Sequence, residues 1–127
     1  MLLKDIIDEY NVAKIALAEK IKGQLAPAMR AAMLKDGRTV VNWNQYTPYF
    51  NDGDPCVFTV ETYAMEDGYD YNEAGEEINV PTATNCANLI NSIPEEVLLN
   101  LFGNGVKVTA TLTDNSVNFT TEEYDHD

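Results

Sequence analysis

This chain has little of what catalytic sites are usually built from. Its 127 residues include one histidine, His126, two serines, Ser92 and Ser116, and two cysteines, Cys56 and Cys86. A serine or cysteine nucleophile needs a base held within hydrogen-bond reach. The one imidazole stands next to last in a charged segment, a poor place for positioned proton transfer. Two cysteines without CxxC spacing make neither a disulfide framework nor a structural zinc site, and read as small buried hydrophobes. No glycine-rich phosphate loop is present. No apolar run approaches the length of a membrane span. Lys4, Asp5, Asp8 and Glu9 interrupt what would be the apolar stretch of a signal peptide, so a cytoplasmic location is expected.

Positive charge is the other scarcity, and it is unevenly placed. Seven of the eight cationic residues lie in 1–38 beside five acids, a net of +2. From 39 onward only Lys107 faces sixteen acids, a net of −15. Such a surface repels phosphate backbones, which argues against direct nucleic-acid binding. It suits a partner with a basic surface, or a mimic of nucleic acid that competes for a basic groove. It also serves solubility alone.

The length fits a single domain, 1–127. It reads as a helical segment (1–37), an α+β body (38–121) and an acidic tail (122–127). Leu3, Ile6, Ile7, Tyr10, Ala13, Leu17 and Ile21 recur at spacings of three and four, predicting a helix over 2–25 with one apolar face. That face is expected to pack on a sheet and on a second copy, making a homo-oligomer through the N-terminal helix. Gly23 and Pro27 predict a break near Ala26, with a second short helix over Ala28–Lys35 stopped by Gly37.

After Arg38 the period changes to two. Thr39–Trp43 and Cys56–Tyr63 read as paired strands. Met65–Asn79 reads as an exposed acidic loop or irregular hairpin tip. Thr84–Ser92 reads as a short helix. Ser92-Ile93-Pro94-Glu95 resembles a capping box opening a helix over Ile93–Phe102. Val106–Thr113 and Ser116–Thr121 complete a second hairpin. The fold class is α+β: a long N-terminal helix, an antiparallel sheet of about four strands from two hairpins, and short helices between them.

The chemistry concentrates between Trp43 and Cys56. Tyr46, Tyr49 and Phe50 supply aromatic area, and Asn51, Asp52 and Asp54 supply polar groups. These are candidate ligand- or partner-binding residues. Equally, the rings close one end of the sheet while Asn51 and Asp52 bond their own backbone. Asp52 and Asp54 alone are a thin metal set. Asp70, Asn72 and Gly75 match EF-hand positions, but Ala74 and Pro81 stand where ligands belong, so that loop is no calcium site. Tyr69 and Tyr71 remain candidate contacts for a basic partner. No catalytic residue, metal site or cofactor is assigned, and no membrane association is expected.

The segments Trp43–Phe58, Leu101–Val108 and Glu123–Asp127 together resemble a family of small phage and bacterial proteins. The resemblance implies a phage or prophage context, hence the host cytoplasm, and a role in binding a host defence or regulatory protein. It carries across no activity, ligand or catalytic residue. The leading expectation is a non-enzymatic binding protein acting through an acidic and aromatic surface. Two alternatives stay open: a binder of a nucleotide-like ligand stacked on Trp43, Tyr46, Tyr49 and Phe50, and a metal-dependent enzyme using Asp52 and Asp54.

Overall fold

The computed structural model describes residues 2–48, 57–66, 68–71 and 74–124. Helix α1, Leu3–Asp36, runs 34 residues without interruption, about 50 Å at 1.5 Å per residue. The expected break at Pro27 does not occur. Proline removes one ladder bond and crowds the carbonyl four residues back. Here that residue is Gly23, exposed and with open space where a side chain would stand. Leu25, Met29 and Met33 are buried on either side of the proline, so tertiary packing holds the axis across it. The helix ends as the sequence indicates. Gly37 takes φ 72°, its N–H bonds Leu34 O, and the Arg38 N–H bonds Met33 O, the two bonds of a Schellman stop.

Strand β1, Val40–Tyr46, is central. It pairs antiparallel with β2, Thr59–Glu61, on one side. On the other it pairs with a later strand, Val106–Leu112, which in turn pairs with the last, Val117–Glu123. Between these hairpins come α2 (Tyr63–Glu66), the ribbon of β3 (Tyr69–Tyr71) and β4 (Glu77–Asn79), α3 (Thr84–Ser92) and α4 (Glu95–Phe102). The last two strands are therefore β5 and β6, and the sheet order is β2-β1-β5-β6. The α+β class and the four-stranded antiparallel sheet from two hairpins stand as expected. The acidic stretch is a hairpin, β3–β4. β6 continues through Glu123, two residues into the segment read as tail.

The period of two sorts the faces of the sheet. Val41, Trp43, Val108 and Ala110 point to the helices and are fully buried, with Phe119 packed beside them. On the opposite face register aligns Asn42 with Thr109 and Thr120, and Val40 with Thr111 and Asn118. α1 closes the core with Met29 and Met33, α3 with Cys86 and Ile90, and α4 with Val97 and Leu98.

A polar side chain from a distant element does capping that local sequence does not. No capping box forms before α4, where Pro94 precedes the first turn with no side-chain cap. Ser92 donates instead to Leu89 O at 2.7 Å. The start of α3 likewise has no side-chain cap of its own. Asp36, from the end of α1, accepts from the Asn85 N–H at 3.2 Å, the Asn85 side-chain amide at 2.6 Å and the Cys86 N–H at 2.9 Å. An aspartate thus satisfies the orphan donors of a helix 49 positions on.

Candidate functional site

Trp43, the opening residue of the aromatic segment, belongs to the core. Its ring is fully buried. It meets Phe102 edge-on at 5.6 Å and Phe119 at 6.4 Å. Its Nε1–H donates to Gln45 Oε1 at 2.8 Å. Gln45, also fully buried, donates from Nε2 to Leu98 O at 3.1 Å and Gly103 O at 3.0 Å. One carboxamide thereby holds the tryptophan and closes the carbonyl end of α4. Trp43 has no open face on which to stack a ligand base.

Tyr46 is the candidate that reaches the other face of the sheet, at the end of β1. It lies half-buried, 5.5 Å from the ring of Tyr124. A hydrogen bond to the Glu61 carboxylate, then burial, then the Glu61 charge push the Tyr46 phenol up to about 12. Burial and the same carboxylate raise Tyr124. Both phenols therefore stay neutral at physiological pH and act as donors at an acidic edge. Thr47 Oγ1 lies 3.3 Å from Asn104 Oδ1, tying the strand's exit to the turn after α4. Tyr49, Phe50, Asn51, Asp52 and Asp54 lie outside the described residues. Tyr69 and Tyr71 belong to the β3 backbone, and their side chains lie outside the description.

A second feature lies on α1. Beside the start of α4 the helix walls an open groove of about 570 Å³, lined by Tyr10, Leu17 and Ile21 on one side and by Pro94, Val97 and Asn100 on the other. Lys14 and Glu96 bridge its walls at 2.9 Å. That hydrogen bond, with the Glu96 charge, raises the lysine's pKa. Eight residues from Leu2 to Glu9 extend past the groove, all exposed. The apolar stripe was legible in the sequence. The groove was not, because nothing local says that α4 lies along only part of α1.

Among the described residues no three His, Cys, Asp or Glu side chains gather as a metal site, and no helix is long and apolar enough to cross a membrane. Cys86 is buried. Burial, then the Asp36 hydrogen bond and charge, push its thiol up to about 12, so it carries almost no thiolate nucleophile at neutral pH. No family model, curated protein or solved structure matches this chain.

Proposed function

We propose that the protein is a non-enzymatic binding protein whose acidic, tyrosine-edged body engages a basic surface on a partner protein. The observation supporting this reading is the separation of charge between the long helix and the rest. Beyond Arg38 the one cation is Lys107, and it lies 3.8 Å from Glu122. Glu66, Glu76, Glu77, Glu95, Asp114 and Glu123 are all exposed. A field of one sign over the body steers a basic partner and raises its association rate at low salt. Tyr46 and Tyr124 add amphipathic contact area beside it. The resemblance to small phage and bacterial proteins makes a host defence or regulatory protein the partner class.

The test begins with capture from bacterial lysate and identification of the captured protein. The purified pair is then titrated at rising salt. Reversal of Glu66, Glu76 and Glu77 to lysine is expected to slow association at least tenfold at low salt, with the circular dichroism unchanged. An association rate indifferent to both salt and reversal overturns the proposal.

A further inference from the structure

Eight of the twelve large hydrophobic side chains exposed among the described residues lie between Leu2 and Leu17. An ordinary surface scatters such residues singly. Here they gather on one rod, and its continuous stripe, Leu3, Ile6, Ile7, Tyr10, Leu17 and Ile21, runs from the free end of α1 into the groove beside α4. The free end is an apolar helical plug, and the groove is an apolar slot beside another helix.

We propose that the occupant of each groove is the α1 free end of a second copy of this chain, in an antiparallel, two-fold symmetric dimer. The two halves of the rod's uncovered stretch carry opposite charge. Residues 2–12 carry Lys4 against Asp5, Asp8 and Glu9, a net of −2, and residues 13–22 carry Lys14, Lys20 and Lys22 against Glu19, a net of +2, which the groove wall's Glu96, paired with Lys14, lowers to +1. Antiparallel pairing lays each half on its complement, whereas parallel pairing stacks like on like. It also opposes the helix dipoles and places the two acidic bodies at opposite ends of the pair. With the two-fold axis near Val12, Ile7 lies against Leu17 of the second copy, and Leu3 against its Ile21. The paired stretch, 2–21, is about 30 Å long. Each side of the contact is formed by the apolar stripe and by the α4 wall at Pro94, Val97 and Asn100. The arrangement is isologous, so each chain provides one plug and one slot and the assembly closes at two. It is independent of the acidic-body reading.

Sedimentation equilibrium of the full chain is expected to give twice the 14.1 kDa chain mass. The variant Ile7→Glu/Leu17→Glu is expected to sediment as one chain. Both residues are exposed and outside the core, so the near-ultraviolet signal of Trp43 will be unchanged. In a Cys56→Ser background, mild oxidation of Ile7→Cys mixed with Leu17→Cys is expected to cross-link the mixture but neither variant alone. A wild-type chain at monomer mass, a double variant that stays dimeric, or self-cross-linking of Ile7→Cys each overturns the proposal.

Discussion

Gln45 and Asp36 show how much one polar side chain does in a small core. Gln45 uses its carbonyl for Trp43 and both amide hydrogens for Leu98 O and Gly103 O. A leucine there fills similar volume but leaves the buried indole N–H without its acceptor and removes the side-chain donor to Leu98 O and Gly103 O. We expect Gln45→Leu to lower stability by about 3 kcal/mol in urea unfolding. Trp43→Ala, which empties the site between Phe102 and Phe119, will lower it by about 4 kcal/mol. At Asp36 burial acts to raise the pKa, but hydrogen bonds from Asn85 and Cys86 together outweigh it and hold the carboxyl below its usual value. A depressed folded pKa means the contribution is complete above the ordinary carboxylate range and is lost as pH falls through the folded value. The stability difference between wild type and Asp36→Asn, followed from pH 7 downward, will therefore shrink in the acid range. A difference that stays constant with pH refutes this role.

At the scale of elements, α1 is the informative one. Its C-terminal half is buried through Leu25, Met29 and Met33, and this holds a proline that would end a solvated helix. Replacing Pro27 by alanine restores a ladder bond to Gly23. We expect a gain of about 2 kcal/mol in unfolding free energy, the helix-interior penalty less the entropy that proline removes from the unfolded chain. At the helix end a side chain at Gly37 would have room, the nearest atom being Pro81 Cγ at 3.7 Å, but φ 72° is left-handed. Gly37→Ala will therefore lower stability by about 1 kcal/mol through the backbone alone.

Over the whole molecule, charge and apolar surface are segregated. The body carries most of the acids, the rod carries most of the cations, and the rod's free half carries most of the large hydrophobic side chains exposed among the described residues. These suit two different contacts: a salt-sensitive one at the body and an apolar one along α1. With the proposed dimer, the midpoint of thermal unfolding is expected to rise with protein concentration for the wild type and stay fixed for Ile7→Glu/Leu17→Glu.

Sequence alone determined what depends on local periodicity and turn chemistry. The apolar stripe of α1, the Gly37 stop, the boundaries of α3 and the presence of two hairpins follow from local pattern. So does the charge asymmetry, which is composition. The strand ends do not: β1 runs on to Tyr46, β2 is only Thr59–Glu61, and Tyr63, expected in that strand, opens α2. Only the tertiary structure decided what depends on distant partners. It carried α1 through Pro27, because buried residues on both sides outweigh one missing bond. It assigned the caps of α3 and α4 to Asp36 and Gln45, which no local motif pairs with those helices. It turned Trp43 from a candidate ligand platform into core, since strand register sets which face a side chain takes. It also left the first turns of α1 uncovered, because the length of the rod exceeds that of the body packed against it.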